Sequence, residues 1–186
     1  IEQIQSLVHL EKLNVSSNKL TKLLGLACFT KLNELQASNN SISELLDQTF
    51  EKNIKLTILN LSKNQIKMME ESAFDKLTNL KELDLSSNEL TDSNLFRLNK
   101  VEIIFKNQSN LKKLRLSNNK IEKDYKQELR TVLQKLIELD LYRNKLDHDQ
   151  ILSFESFIQF KAKNISKDTK LHLHGESLTE RVLIEL

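Results

Sequence analysis

The sequence predicts an α/β solenoid, a chain wound into successive coils with one short β-strand in each. Two observations lead to this fold class. An eleven-residue pattern, clearest in LKELDLSSNEL at residues 80–90, occurs seven times along the 186 residues, and apolar side chains occupy its fourth and sixth positions in every copy. Alternate residues of a strand face the same side, and one such unit is too small to bury its own apolar residues, so neighbouring units must stack.

The seven copies keep one phase but not one spacing. Their fourth-position leucines follow each other at intervals of 22, 24, 24, 31, 25 and 32 residues. Six copies carry asparagine at the ninth position, and the last copy has Glu176 there. Because an asparagine amide both donates and accepts hydrogen bonds, we expect it to satisfy backbone groups where the chain turns out of the strand. The fourth-position leucines are Leu13, Leu35, Leu59, Leu83, Leu114, Leu139 and Leu171.

The repeated pattern L-x-x-L-x-L-x-x-N-x-L resembles that of the leucine-rich repeat family over nearly the whole chain. The resemblance implies a right-handed horseshoe, with a parallel sheet of about seven strands on the concave side and helices or turns on the convex side. The first four copies look like the short repeats of phosphatase regulatory subunits and of an axonemal dynein light chain. The longer, later copies resemble the helical repeats of ribonuclease inhibitor.

The segments between copies supply the rest of the predicted core. Phe29, Phe50 and Phe74 each precede the next copy, and we expect them to form a stack in the core. Two later segments carry apolar residues at helical spacing, which predicts convex helices. The N-cap candidates of the first predicted helix are Asp92 and Ser93. The apolar residues are Leu95, Leu98, Val101 and Phe105 in the first helix and Ile151, Phe154, Phe157 and Ile158 in the second.

Residues 1–186 are predicted to form a single solenoid segment that belongs to a longer chain. The sequence has no Pro and only two Gly, so no linker is evident. Its first residues look like the return half of an earlier unit, and SLTERVLIEL at the end looks like the start of another helix. No apolar run approaches the roughly 18 residues of a membrane span. The single cysteine, Cys28, is expected to pack in the core, and the lack of cysteine-rich caps in this sequence favours a cytoplasmic compartment.

The charges on the predicted concave face argue against one class of partner. Its outward positions carry six cations and five anions, so there is no basic stripe for a phosphate backbone, and nucleic acid is not expected as a partner. Charged rows alternate in sign on three neighbouring strands, which predicts either mutual pairing or a patterned docking face. The rows are Glu82 with Asp84, Lys113 with Arg115, and Glu138 with Asp140.

No motif in the sequence predicts catalysis. There is no Gly-rich phosphate loop, no Cys/His zinc spacing and no Ser–His nucleophile motif, so no enzyme activity, cofactor or small-molecule substrate is expected. His172 and His174 share one face of a predicted strand, beside Asp140 and Tyr142 on the strand before it. Two histidines and a carboxylate could bind a metal, but solenoid strands expose polar residues by default, and no metal site is predicted.

A long rigid surface without a buried pocket suits protein recognition, so we expect a non-catalytic protein–protein interaction scaffold. Two alternatives stay open: a regulator or activator of a phosphatase or small GTPase, and a structural part of a cytoskeletal or ciliary assembly. The predicted binding patch lies where tyrosine and histidine replace the serine of the first five copies at the seventh position. Relaxed consensus near the end of the stack is the competing explanation. The patch residues are Arg115, Tyr142, Arg143, His172 and His174.

Overall fold

A computed structural model describes residues 1–95, 105, 107–122 and 136–146, together with the backbone of 170–173 and 182–185. Its strands are β1 (Lys12–Asn14), β2 (Glu34–Gln36), β3 (Glu44–Leu45), β4 (Ile58–Asn60), β5 (Met68–Met69), β6 (Glu82–Asp84), β7 (Lys113–Arg115), β8 (Glu138–Asp140), β9 (Lys170–Leu173) and β10 (Val182–Glu185). One eight-stranded sheet has the order β1-β2-β4-β6-β7-β8-β9-β10, and β3 pairs with β5 in a separate two-stranded sheet.

Seven strands of the large sheet are parallel and in register. The fourth-position leucine of each copy pairs with that of the next, from Leu13 opposite Leu35 at one end to Leu139 opposite Leu171 at the other. The predicted parallel sheet of about seven strands is therefore confirmed. Each repeat is called a coil below. Coils 1 to 6 begin at Leu10, Leu32, Leu56, Leu80, Leu111 and Leu136.

The eighth strand differs from the other seven. β10 pairs antiparallel with β9, with Val182 opposite Leu173 and Glu185 opposite Lys170. The expectation that SLTERVLIEL starts a helix is therefore wrong for residues 182–185. Periodicity does not separate a short apolar strand from a short apolar piece of helix. The β-branched Val182 and Ile184 favour a strand where the edge of β9 offers backbone groups to pair with.

Apolar side chains from the strands and the return segments form one core. Leu83, in the middle of the sheet, is 1% exposed. The rings of Phe50 and Phe74 stack with their centroids 6.0 Å apart, and Phe105 packs on Phe74 at 5.6 Å. Phe105, expected in a helical stripe, thus continues the phenylalanine column. Phe29 is buried as predicted, but it lies three residues before the next coil, whereas Phe50 lies six residues before its own.

The ninth-position asparagines form a hydrogen-bonded ladder between coils, as expected. Asn88 Oδ1 accepts the N–H of Ile66, in the coil before, at 3.0 Å. Its Nδ2 donates to the carbonyls of Leu61 in that coil and Leu85 in its own, both at 3.0 Å. Each such amide therefore joins two coils. The same set of contacts is made by Asn40, Asn64, Asn119 and Asn144.

The eighth position has a left-handed backbone in all six described coils, with φ between 52° and 57°. The sequence did not predict this conformation. A side chain with a Cβ costs roughly 1–2 kcal/mol there, although asparagine tolerates it better than most residues. The chain leaves the strand by this turn, one residue before the ladder asparagine. The residues in this conformation are Ser17, Asn39, Lys63, Ser87, Asn118 and Arg143.

Further amides, outside the eleven-residue pattern, tie the return segments together. Asn53 is fully buried and donates to two carbonyls of the segment before it, at 2.9 and 3.1 Å. Gln108 is 2% exposed and donates to one such carbonyl at 2.6 Å. Both occupy the slot that Leu77 fills in the coil between them, and their side-chain oxygens have no partner among the described residues. Asn79 and Asn110 donate to the segment before them in the same way.

Helix α1 (Asp92–Leu95) is the described part of the first predicted convex helix. Its N-cap is Thr91, not Asp92 or Ser93. The Thr91 N–H donates to Asn94 Oδ1 at 2.8 Å, and Thr91 Oγ1 donates to the same oxygen at 2.9 Å. Asparagine thus takes the place of the glutamate or glutamine of a capping box. The other residues of the two predicted apolar stripes, Leu98, Val101, Ile151, Phe154, Phe157 and Ile158, lie outside the described residues.

Candidate protein-binding face

Serine at the seventh position has a structural role on the concave face. In coils 3 and 4 the fifth-position side chain, Asn60 or Asp84, accepts hydrogen bonds from both the N–H and the Oγ of the serine two residues later. These four contacts measure 2.6–3.0 Å, and they form the local turn that asparagine and aspartate favour. Ser62 is only 8% exposed. Serine in these coils therefore stabilises the turn and offers little surface to a partner.

The alternating charged rows pair with one another across the strands. Lys113 Nζ lies 2.8 Å from Glu82 Oε1, and Arg115 Nε lies 2.7 Å from Glu138 Oε1. Arg115 Nη1 also lies 4.0 Å from Asp84 Oδ2. The predicted mutual pairing is therefore confirmed for these contacts, each of which contributes at most about 1 kcal/mol at a surface. Arg115, one of the predicted partner contacts, already lies between two carboxylates of its own sheet.

A similar pair joins the first two coils. Lys12 Nζ lies 3.0 Å from Glu34 Oε2. The hydrogen bond from Lys12, followed by one from Gln36, holds the pKa of the Glu34 carboxyl below its usual value. Glu34 therefore stays ionised to lower pH in the folded chain than in the unfolded one.

The sixth coil presents an aromatic and a cationic side chain at the end of its strand. Arg143 Cζ lies 5.3 Å from the centroid of the Tyr142 ring, a distance at which a guanidinium is attracted to the ring face. Tyr142 is half-buried and Arg143 is exposed. The Tyr142 N–H donates to Asp140 Oδ1 at 3.0 Å, so the backbone turn of coils 3 and 4 is kept although serine is absent.

The core of coil 6 keeps the full consensus beneath this pair. Asn144 is 3% exposed and makes the complete set of ladder contacts. The change from serine to tyrosine is therefore confined to the outer surface, and it is not part of a general loss of the pattern in this coil. The consensus leucines of the coil are all 1–3% exposed: Leu136, Leu139, Leu141 and Leu146.

The histidines of the predicted patch are only partly placed. The strand register puts His172 beside Asp140, and Asp140 beside Arg115, so these three fifth-position residues form one row across the sheet. His172 lies opposite Leu183 of β10 on its other side. His174 lies outside the described residues, and its membership of the patch stays a prediction. In the part of the chain that the structure describes, no three His, Cys, Asp or Glu side chains are grouped as a metal site.

A pocket of about 260 Å³ lies away from this face, in the segments that follow the strands of coils 1 and 2. Lys22 Nζ lies 2.6 Å from Glu44 Oε1 among its lining residues. None of the five predicted patch residues lines it. The sequence gave no sign of this pocket, because the pair Leu23 and Leu24 does not reveal which leucine faces the core. In the structure Leu23 is 6% exposed and Leu24 is 59% exposed.

Three family models, each described as a leucine rich repeat, match the chain at residues 6–22, 30–90 and 110–131. An internalin from Listeria monocytogenes is 28% identical, with a TM-score of 0.62, over 82% of this chain and 41% of that one. Toll in the Drosophila Toll–Spatzle complex is similar at 26% identity and a TM-score of 0.69, over 80% and 21%. The ectodomain of a receptor kinase from Arabidopsis thaliana, in complex with Casparian strip integrity factor 2, has 22% identity and a TM-score of 0.56, over 78% and 17%.

The chain spans less than half the length of each of these solved structures. Curated proteins include no sequence match to it. Among the residues that the structure describes, none form a helix long and apolar enough to cross a membrane. The likeness therefore supports the repeat architecture, while the resemblance of individual coils to phosphatase-subunit or ribonuclease-inhibitor repeats stays a prediction.

Proposed function

Because this chain belongs to the leucine-rich repeat family, whose stacked coils present one continuous surface, we propose that it is a non-catalytic protein–protein interaction scaffold that binds a partner on its concave sheet. The observation that carries the proposal is the Tyr142–Arg143 pair on an otherwise regular coil. Serine supports the turn in coils 3 and 4, whereas Tyr142 keeps the turn through its backbone and presents an aromatic ring instead.

Tyrosine and arginine are enriched at binding hot spots, because they combine a large contact area with hydrogen bonding. The cation–π contact holds the Arg143 guanidinium over the ring, so less side-chain entropy is lost when a partner binds. Toll, one of the similar structures, is solved in complex with Spatzle, which supports protein recognition by this architecture. We therefore assign the centre of the site to Tyr142 and Arg143.

The remaining patch residues surround this centre. Arg115 would have to exchange its contacts with Glu138 and Asp84 for contacts with a partner, and such an exchange adds little affinity. Its proposed role is to select partners of suitable charge and to fix their register. His172, in the same row as Arg115, and His174, two residues further along, extend the proposed patch toward the seventh coil.

The test uses affinity capture from native lysate, followed by measurement of the affinity of the captured partner. The variant carries Tyr142→Ala with Arg143→Ala. The control is Lys63→Ala, which removes an exposed cation from the same eighth position in coil 3, where the backbone is also left-handed. The urea melt of each protein is recorded first, so that a change in binding is not confused with a loss of folding.

We expect the double variant to lose at least tenfold in affinity, about 1.4 kcal/mol, while the control binds within twofold of the original chain. A partner that binds the double variant within twofold would exclude this patch. If all concave variants bind normally and changes near Leu24 weaken binding, the concave site itself is wrong and the pocket of coils 1 and 2 becomes the better assignment.

A further inference from the structure

The first coil exposes consensus side chains that the later described coils bury. Leu10 and Leu20 are only partly buried, although they hold the first and eleventh positions of the motif. Leu7, three residues before the coil, is 50% exposed. One face of the core is thus open at coil 1. The counterparts of these residues in coil 2 are all 0% exposed: Leu32, Ile42 and Phe29.

The ladder asparagine of this coil has an unused acceptor. Asn18 Nδ2 donates within its own coil, to the carbonyls of Val15 and Ser16. In each of the five later ladder asparagines, Oδ1 accepts an eleventh-position N–H from the coil before. Among the residues that the structure describes, nothing donates to Asn18 Oδ1, and Asn18 is exposed.

The backbone of β1 is open on the same side. In β2 the N–H of Glu34 donates to coil 1 at 3.1 Å, and the carbonyl of Gln36 accepts from coil 1 at 2.8 Å. The corresponding groups of β1 belong to Lys12 and Asn14. They face away from β2, because successive backbone groups of a strand point to opposite edges. In the described part of the chain β1 has β2 as its neighbour in the sheet and no strand on this edge.

From these three observations we propose that the open face of coil 1 is a docking surface for a further leucine-rich coil, stacked parallel to β1. Such a coil would bury Leu10 and Leu20, pair with the free edge of β1, and donate its eleventh-position N–H to Asn18 Oδ1. Each of these contacts repeats one that the structure already forms between coils 1 and 2.

Residues 1–10 show that only a strand half is needed to complete the face. They form three successive turns, in which Ile4, Leu7 and Leu10 each donate to the carbonyl three residues earlier at 2.9–3.0 Å. The return segments of coils 2 and 3 end in the same kind of turn. A second copy of the chain docked face to face would bring two Asn18 acceptors together without a donor. A leucine-rich strand half, which carries the donor, therefore fits the face better than a second copy does.

The probe is a strand half taken from this chain. Residues 56–70, LTILNLSKNQIKMME, are fused directly before Ile1. The leucine copied from position 59 then stands 24 residues before Leu13, the same interval that separates Leu59 from Leu83. A control fusion has serine at the four inward apolar positions of the added segment. Urea unfolding, sedimentation and amide hydrogen exchange are measured for both fusions and for the original chain.

We expect the apolar fusion to unfold as one unit with a steeper urea dependence, because more surface is exposed on unfolding. Asn18→Ala should reduce its folding equilibrium constant at least tenfold more than it does in the original chain, a coupling of about 1.4 kcal/mol. The eleventh-position amide of the added segment should also exchange slowly. The serine fusion should show none of these effects.

Equal effects of Asn18→Ala in the fused and original chains would overturn the proposal. So would a serine fusion that stabilises the chain as much as the apolar fusion does. A third contrary result is an original chain that sediments as a dimer and becomes a monomer on Leu7→Glu, because the occupant of the face would then be a second copy.

Discussion

Replacing Asn88 with alanine tests how the coils are joined. The Asn88 amide makes contacts with four backbone groups, but their losses are unequal. The carbonyl of Leu61 keeps a hydrogen bond from Asn64, and the carbonyl of Leu85 keeps one from Asn119, both at 3.0 Å. The third carbonyl, that of Ser86, keeps the N–H of Lys63 at 2.8 Å. Each of these carbonyls therefore retains a donor.

The N–H of Ile66 is different, because Asn88 Oδ1 is its acceptor and Ile66 is 0% exposed. A buried donor without a partner costs about 1–3 kcal/mol, and we add about 1 kcal/mol for the weakened carbonyl contacts. Asn88→Ala should therefore lower the free energy of unfolding by roughly 2–4 kcal/mol. Asn18→Ala is the matched control. It changes the same ladder position where no described donor reaches Oδ1, so its cost should stay below about 1 kcal/mol.

Urea denaturation followed by circular dichroism gives both free energies. Amide hydrogen exchange gives a local readout, because the exchange at Ile66 should accelerate although the substitution is 22 residues away. If Asn18→Ala costs as much as Asn88→Ala, or if the Ile66 amide stays protected, then the ladder does not stabilise the preceding coil in the way the contacts imply.

Three other substitutions test the core, a return segment and a charge pair. Leu83→Ala should cost roughly 2–5 kcal/mol in urea melts, and more than Leu13→Ala, since Leu13 lies at the open coil and is 8% exposed; equal costs would contradict this gradient. Gln108→Leu should change stability by less than about 1 kcal/mol, because the side-chain oxygen that it removes is buried and unpaired, whereas Gln108→Ala should cost more through its cavity; calorimetry that ranks the two in the opposite order would refute this. The folded pKa of Glu34 lies below its unfolded value, so the stability it contributes is present above about pH 4.3 and is lost as the pH falls through the folded pKa. Removing the partner with Lys12→Ala should raise the pKa in an NMR titration, and an unchanged pKa would show that the pair is not formed.

The sequence predicted the strands well because each position of the motif has a distinct chemical requirement. Leucine at the fourth position is needed for burial, and asparagine at the ninth is needed for its two-sided amide. Both requirements leave one residue type in nearly every copy. The eighth position has an equally strict backbone conformation, but it is occupied by Ser17, Asn39 and Lys63 among others. No shared residue type marks it, so its left-handed conformation could not be read from the sequence.

The return segments were less predictable for a related reason. A buried slot three residues before each coil accepts Phe29, Asn53, Leu77 or Gln108, because a backbone carbonyl can be satisfied by an inserted amide or left to other donors. Apolar periodicity alone does not detect such a slot. Asn94 likewise caps helix α1 in place of the acidic residue that the capping rule favours.

On the candidate face, the sequence predicted which charges would be neighbours but not what those charges would do. Strand spacing alone brought Arg115 near Glu138 and Asp84. The choice between internal pairing and a docking pattern required the 2.7 Å and 4.0 Å distances. The unusual pair Tyr142 and Arg143 could be recognised from the sequence because every earlier coil has serine at the seventh position.

The ladder has a consequence for how this chain can vary in length. The fourth-position leucines of coils 4 and 5 are 31 residues apart, seven more than those of coils 3 and 4. Nevertheless, the N–H of Leu90 reaches Asn119 Oδ1 at 3.0 Å, the same distance that separates Ile66 from Asn88. Insertions and deletions in the return segments can therefore accumulate without altering the pitch of the concave side chains. The two sides of the molecule are free to diverge separately, the concave side by substitution and the convex side by changes in length.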